Sequence, residues 1–168
     1  MFTKILVAVS ANSSDTVLTS AIDLARKHNA QIVALHVVDP TPAFLGPADY
    51  SFGMIAEAME EHGREVVTRM TTVLDDHAHP ADTRMVTLPI SGSTVGRAIA
   101  ACAEETGADL IILGERKAAW WRFLNEDVAA EIRRRTDTPL QTLSEKAAGG
   151  AARRPGTRLT DVQVASIR

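Results

Sequence analysis

The residues best suited to chemistry follow an apolar run in the second half of the chain. Gly114 lets a backbone approach a phosphate closely, and Arg116 and Lys117 carry charge that can neutralise one. A helix predicted to begin near residue 125 adds free N–H groups, so the chemistry would be the binding of nucleotide phosphates. Glu126 and Asp127 oppose that binding, because like charges about 4 Å apart repel by about 1–4 kcal/mol.

Aromatic side chains near the same stretch offer a second binding chemistry. A nucleotide base can stack on an aromatic ring such as Trp120 or Trp121, which is worth about 1–3 kcal/mol. We favour the alternative that these rings pack over the sheet or against a partner subunit, because adjacent side chains rarely point the same way. A long loop over residues 40–53 contains three more rings, Phe44, Tyr50 and Phe52. These rings either cover a bound ligand or close over an empty cleft.

The remaining reactive side chains are better explained by structure than by catalysis. Residues 75–79 hold two aspartates and two histidines, but no second cluster accompanies them, so we interpret them as a solvated helix end. The segment 91–96 lacks the lysine of a phosphate-binding loop and predicts a helix cap. His36 lies within a buried strand, and Cys102 lies on the inward stripe of a helix. We predict no catalytic residue and no metal ligand, and at most slow ATP hydrolysis.

The elements that must position these residues alternate regularly between strands and helices. Apolar runs predict strands, and caps with helical apolar stripes predict helices. Such alternation predicts an α/β fold with an open, doubly wound parallel sheet and ligands at the carboxyl ends of its strands. The predicted strands lie near 5–9, 31–38, 83–88, 109–113 and 138–143. The first predicted helix begins after residue 12 or 13, and the other three cover about 54–78, 94–106 and 125–135.

Composition narrows the class of protein. The 168 residues are 45% apolar and carry a net charge of −3, which suits one globular domain and argues against a general nucleic-acid binder. No apolar run approaches the length of a membrane helix. The apolar run near the start of the sequence is too short for a secretory signal. The single cysteine, Cys102, suits a reducing compartment, so we expect a cytoplasmic protein.

The chain changes character after residue 143. We predict a domain over residues 1–143 and a flexible basic tail over 144–168, which carries five basic and two acidic side chains. Such a tail can contact an acidic protein partner. Val162 and Val164 alternate with polar residues, so an added edge strand within the tail is the alternative.

Four segments together resemble the universal stress protein family: KILVAV at 4–9, LHVVD at 35–39, GADLIILG at 107–114, and TPLQTL from Thr138 to Leu143. The resemblance implies an adenine nucleotide alpha hydrolase-like fold with five parallel strands in the order 3-2-1-4-5. It also implies a role in stress survival and a homodimer formed through the last strand, Thr138 to Leu143. Many members of the family bind ATP and many do not.

The chain departs from the glycine pattern of the ATP-binding members. Of that pattern only Gly114 is present; Lys117 replaces the second glycine, and a Gly-Ser pair is replaced by residues 126–127. We therefore predict a dimeric adaptor of the stress response with no cofactor, which does not bind ATP through that pattern. The alternative is a rebuilt site for ATP, with Mg²⁺, or another adenine nucleotide at the ends of strands 1 and 4. Its candidate binding residues are Ser10, Val38, Gly114, Arg116, Lys117 and Val128.

Overall fold

The structure, a computed structural model, describes residues 1–11, 15–40, 52–89, 92–114 and 127–143. Within these ranges the chain alternates between strands and helices throughout. The strands are β1 (Lys4–Ala8), β2 (Gln31–Val38), β3 (Ala81–Thr87), β4 (Leu110–Gly114) and β5 (Leu140–Leu143). The helices are α1 (Asp15–His28), α2 (Phe52–Asp76), α3 (Val95–Thr106) and α4 (Val128–Arg135). None of the described helices is long and apolar enough to cross a membrane.

All five strands form one parallel sheet in the order β3-β2-β1-β4-β5, which confirms the predicted fold class. The central strand β1 pairs on both sides, so Ile5 lies between Ile32 and Leu110. Every residue of β1 is buried or half-buried, because helices cover both of its faces. This double cover is the reason that β1 is apolar from Ile5 to Ala8.

Two apolar layers hold the helices on the sheet. The first core, against α1 and α2, includes Ile5, Val7, Ile22 and Met70. The second core, against α3 and α4, includes Leu6, Leu35, Ile99, Ile111 and Ile132. Alternate residues of β1 therefore enter opposite cores, as the two-residue period of a strand requires.

The ends of α3 follow the chemistry predicted from the sequence. The hydroxyl of Thr94 accepts a hydrogen bond from the Arg97 N–H, which caps the start of the helix. Gly107 adopts a left-handed conformation at its end, with φ of 66°, and donates its N–H to the carbonyls of Ala103 and Glu104. The cap predicted within the segment 91–96 is thus confirmed at Thr94.

Some predicted boundaries were wrong by two or three residues. β5 begins at Leu140 rather than Thr138, because Thr138 turns back and donates its N–H to the hydroxyl of Thr136. α4 begins at Val128 rather than residue 125, since Asp127 is its cap and not part of its first turn. In both cases a local side-chain bond decides where the regular element starts.

Helix α2 extends past the carboxyl edge of the sheet. Gly63 faces Val38, the last residue of β2, so the eleven residues from 52 to 62 reach about 16 Å beyond that point. Ile55 lies on the same apolar stripe of the helix as Val66 and Met70, but it is 39% exposed. No strand of the described ranges lies beneath this part of the helix. The stripe is buried where α2 covers the sheet, at Val66, Met70 and Leu74.

Candidate functional site

The described candidate residues meet at the carboxyl edge of the sheet. Ser10 follows β1, Val38 ends β2, Gly114 ends β4, and Val128 begins α4. Ala8 of β1 pairs in register with Leu113 of β4. Ser10 comes two residues after Ala8 and Gly114 one residue after Leu113, so the two residues lie near each other at this edge. This is the edge where ligands bind in doubly wound sheets, at the point where the strand order reverses.

A buried histidine fixes the backbone just before Ser10. The Val9 N–H donates to the Leu35 carbonyl at 2.9 Å, and the Nδ1 of His36 donates to the Val9 carbonyl at 2.8 Å. His36 is only 5% exposed, which confirms its predicted structural position. Burial lowers the pKa of His36 despite the bond to Val9, and the charges of His62 and Arg69 lower it further. The neutral ring of His36 therefore joins the end of β1 to β2 through this hydrogen bond.

Two of the candidate residues face protein rather than the edge of the sheet. The side chain of Val38 is 4% exposed and faces Gly63 of α2. Val128 is half-buried and packs against the second core. Ser10 and Gly114 are also half-buried, and Gly114 pairs with Leu143 of β5. The edge described here is thus built from backbone and small side chains.

The start of α4 already holds a carboxylate. Asp127 Oδ1 accepts a hydrogen bond from the Ala130 N–H at 3.0 Å, and the Asp127 carbonyl accepts from the Glu131 N–H. A negative group at this position satisfies an otherwise unpaired donor and complements the positive end of the helix dipole. Glu131, one turn further on, is bound by Arg134 and Arg135, and these hydrogen bonds lower its pKa.

Several predicted site residues lie outside the described residues, so their roles stay predictions. They are the cations Arg116 and Lys117, the rings of Phe44, Tyr50, Trp120 and Trp121, the acidic Glu126, and the tail over 144–168. The side chain of Phe52 lies outside them as well.

The other reactive side chains are engaged in packing or in backbone bonds. His77 Nδ1 bonds to the Val73 carbonyl at 2.8 Å, and His79 Nε2 bonds to the Ala30 carbonyl at 3.0 Å. Within the described ranges no three histidine, cysteine or acidic side chains come together as a metal site. Cys102 is buried, as predicted, and burial raises the pKa of its thiol, which disfavours the reactive thiolate.

Sequence reasoning overlooked Asp109, which organises the opposite, amino edge of the sheet. Its carboxylate accepts from the Thr3 N–H at 2.7 Å, the Thr3 hydroxyl at 2.8 Å and the Lys4 N–H at 3.1 Å. The Asp109 N–H donates in turn to the Lys4 carbonyl. The available signal was a short acidic residue between the glycine cap of α3 and a buried strand. The acidic residue of this segment thus serves the assembly of the sheet, away from the candidate cleft.

Known proteins share this architecture. A model of the universal stress protein family matches residues 1–142. The chain is similar to a universal stress protein of Methanocaldococcus jannaschii, with 27% identity over 139 residues that cover 80% of this chain and 78% of that protein. It is also similar to universal stress protein A of Salmonella typhimurium, with 24% identity over 127 residues that cover 74% and 83%.

A solved structure agrees in fold. A universal stress protein family member from Burkholderia pseudomallei superposes with a TM-score of 0.64 at 24% identity, over 84% of this chain and 95% of that one. The strand order and the helices on both faces are those of the adenine nucleotide alpha hydrolase-like fold. With the family match spanning 142 residues, the chain belongs to the universal stress protein family.

Proposed function

We propose that the chain is a non-enzymatic, dimeric adaptor of the stress response that does not bind ATP through the family's glycine pattern. The observation that carries the proposal is the bond from the Ala130 N–H to the carboxylate of Asp127. Asp127 stands where the resemblance expects the second residue of a Gly-Ser pair. A phosphate that approaches α4 must compete with this attached carboxylate for the same N–H groups and is repelled by its charge.

The missing glycines support the same proposal. Glycine lets a nucleotide phosphate approach the backbone closely, and Lys117 stands at the position of the second glycine of the pattern. The strand-one loop has Ser10-Ala-Asn rather than the family's usual Asp-Gly-Ser, so the carboxylate that helps to hold a nucleotide is absent from it. Without a bound nucleotide, the protein would act through its contacts with other proteins.

Among the described residues no strand pairs with the outer edge of β5, and this supports a homodimer through Thr138 to Leu143. The Ile111 N–H donates to the Pro139 carbonyl, so the odd-numbered residues of β5 bond to β4. The backbone groups of Leu140 and Thr142 therefore face outward. No charged residue lies in this segment to discourage pairing with a second copy.

The alternative function, binding of an adenine nucleotide in a rebuilt site, is supported by the meeting of Ser10 and Gly114 at one edge of the sheet. Two relatives in fold were solved with such ligands. A universal stress protein from Archaeoglobus fulgidus in complex with dAMP superposes with a TM-score of 0.58, and a family protein from Arabidopsis thaliana with AMP bound superposes with 0.57. In this chain Arg116 and Lys117 would supply positive charge, and Glu126 and Asp127 would hold a magnesium ion that offsets their repulsion of the phosphates.

Calorimetry with MgATP separates the two functions. We expect no saturable heat with the full-length protein and no nucleotide in an extract of the purified protein. Asp127→Ser is the matched variant, because serine retains a helix cap but removes the charge. If the carboxylate excludes phosphate, this variant binds MgATP more tightly than the parent while melting at a similar temperature.

A dissociation constant below about 10 µM for the unmodified protein, near −7 kcal/mol, would contradict the adaptor proposal. Arg116→Ala and Lys117→Ala should then each weaken binding at least tenfold, which would place the nucleotide in the rebuilt site. AMP and dAMP, titrated in parallel, show whether the site needs the γ-phosphate.

A further inference from the structure

In the described part of the chain, no helix lies over one face of the edge strand β3. α2 covers β2 and β3 on the side of the first core. On the other side, α3 packs over the inner strands, and no residue of β3 is a fully buried member of the second core. Arg84 and Val86 point to this uncovered side, because they pair in register with Leu35 and Val37 of β2, which belong to or pack against the second core.

A groove of about 510 Å³ runs between β3 and α3 on that side. Its floor is apolar and is formed by Val86, Leu88, Ala98, Ala101 and the buried Cys102. The small side chains of the two alanines leave room along the flank of α3. An open apolar channel of this shape suits an extended chain better than a compact ligand, which needs a more enclosed pocket.

The two ends of the groove differ in charge. At one end of the groove, near the middle of β3, Arg84 is held by Asp82 and Glu105, each at 2.9 Å, so its charge is balanced. At the other end, Arg97 is exposed and donates to the Gly92 carbonyl at 3.3 Å. No carboxylate in the described part of the chain pairs with Arg97. The groove therefore offers one uncompensated positive charge, near the carboxyl end of β3.

The outer edge of β3 also carries backbone groups that point away from the sheet. The Ile32 N–H donates to the Pro80 carbonyl, and the Leu88 N–H donates to the Val38 carbonyl. Even-numbered residues of β3 thus bond to β2, and the alternation of a parallel ladder turns Thr83, Met85 and Thr87 outward. These groups have the spacing that an added strand requires.

The geometry points to a docking site for an extended segment of another protein, which adds a sixth strand beside β3 and places an acidic side chain against Arg97. Backbone bonds to Thr83, Met85 and Thr87 hold the strand, and alternate apolar side chains of the segment cover the groove floor. The charge of Arg97 selects for a carboxylate at the end of the segment that lies near Thr87. This site is distinct from the β5 edge and from the cleft near Ser10.

Selection from a displayed library of random linear twelve-residue peptides tests this site on the full-length protein. Ala101→Arg is the blocked variant, since residue 101 is exposed on α3 and a long side chain there fills the groove without disturbing the core. We expect the peptides enriched on the parent protein, relative to Ala101→Arg, to alternate apolar and polar residues and to carry an acidic residue near one end.

A synthesised winning peptide then gives the quantitative test. We expect its affinity to fall at least tenfold in Ala101→Arg and in Arg97→Glu, and to be partly restored in Arg97→Glu when its acidic residue is replaced by lysine. Arg133→Glu, on α4, is the matched control and should leave the affinity unchanged. No enrichment over Ala101→Arg, or winning peptides that are indifferent to Arg97→Glu, would overturn the proposal.

Two other occupants would also overturn it. Self-association of the protein that Ala101→Arg abolishes would assign the groove to a second copy of this chain. If the parent protein binds no peptide but a variant substituted at Val162 and Val164 does, the groove would be assigned to the chain's own tail.

Discussion

At the residue scale, Asp109 joins the amino ends of β1 and β4 through three hydrogen bonds to residues more than one hundred positions away. Partial burial by itself would raise the pKa of Asp109, but these bonds together outweigh it and lower the pKa. The carboxylate therefore stabilises the fold above the ordinary pKa of aspartate, and this contribution is lost as pH falls through the lowered value.

We expect Asp109→Asn to lower the free energy of unfolding by about 1–3 kcal/mol, because the amide retains one acceptor but loses the charge-assisted bonds. Urea unfolding at neutral pH measures the change. Asp76→Asn, at the exposed end of α2, removes an equal charge and should change stability by less than about 0.5 kcal/mol. Equal losses in the two variants would show that the bonds to Thr3 and Lys4 do not stabilise the fold.

His36 predicts a specific dependence of stability on pH. Because its pKa is lowered in the folded protein, the unfolded chain binds the proton more readily below about pH 6.5. The free energy of unfolding should therefore decrease as pH falls from 7.5 to 5.5, with a contribution of up to about 1.4 kcal/mol per pH unit from this ring.

His36→Asn is the variant that isolates this contribution, since its side-chain amide can still donate to the Val9 carbonyl but does not titrate. We expect a smaller loss of stability over the same pH range, measured by denaturant unfolding at several pH values. The other four histidines are common to both proteins, so they cancel in the difference. Parallel pH profiles would mean that His36 does not resist protonation.

At the element scale, Gly63 decides how closely α2 approaches the sheet. Glycine weakens a helix by about 1 kcal/mol relative to alanine, so propensity alone predicts that Gly63→Ala stabilises the protein. A Cβ at this position would lie 2.5 Å from Val38 Cγ2 and 3.1 Å from Met85 Sδ. Overpacking of this kind costs about 1–3 kcal/mol, so we expect a net loss of stability.

Gly53→Ala, in the first turn of the same helix, is the control, because its Cβ would meet no atom within 4 Å. It should be neutral or mildly stabilising in a thermal melt, whereas Gly63→Ala should melt at a lower temperature than the parent protein. A gain in stability from both substitutions would mean that α2 can shift away from β2 at little cost.

At the scale of the whole molecule, the two edges of the sheet differ in chemistry. β5 is short, uncharged and flanked by proline at residue 139, whereas β3 carries the paired charges of Asp82 and Arg84. Charged side chains on an edge strand discourage its pairing with a second copy. The proposed dimer should therefore depend on β5 and not on β3.

Proline substitution at each edge tests that expectation. Thr142→Pro removes an outward N–H of β5 without breaking a bond to β4, and Thr83→Pro does the same at the outer edge of β3. We expect light scattering at micromolar concentration to give a dimer for the parent protein and for Thr83→Pro, and a monomer for Thr142→Pro. A monomeric parent protein would contradict the dimer.

The sequence by itself determined the features that depend on neighbouring positions along the chain. Apolar runs and stripes predicted the parallel α/β sheet, and the buried positions of His36 and Cys102 followed from the same periodicity. The caps at Thr94 and Gly107 were also predictable, because a cap bonds to residues within one turn. The carboxylate at the start of α4 belongs to this group, although only the structure shows that Asp127 is the cap itself.

Tertiary structure decided the features that depend on residues far apart in the sequence. The role of Asp109 needs Thr3 beside it, and the requirement for Gly63 needs Val38 beneath it. Ile55 is exposed because α2 extends beyond the ends of the strands that it covers. The apolar periodicity of the helix does not reveal this. The groove beside β3 exists because, in the described part of the chain, two helices cover the inner strands and do not extend over β3. Periodicity shows which face of an element is apolar, but only packing shows whether another element covers it.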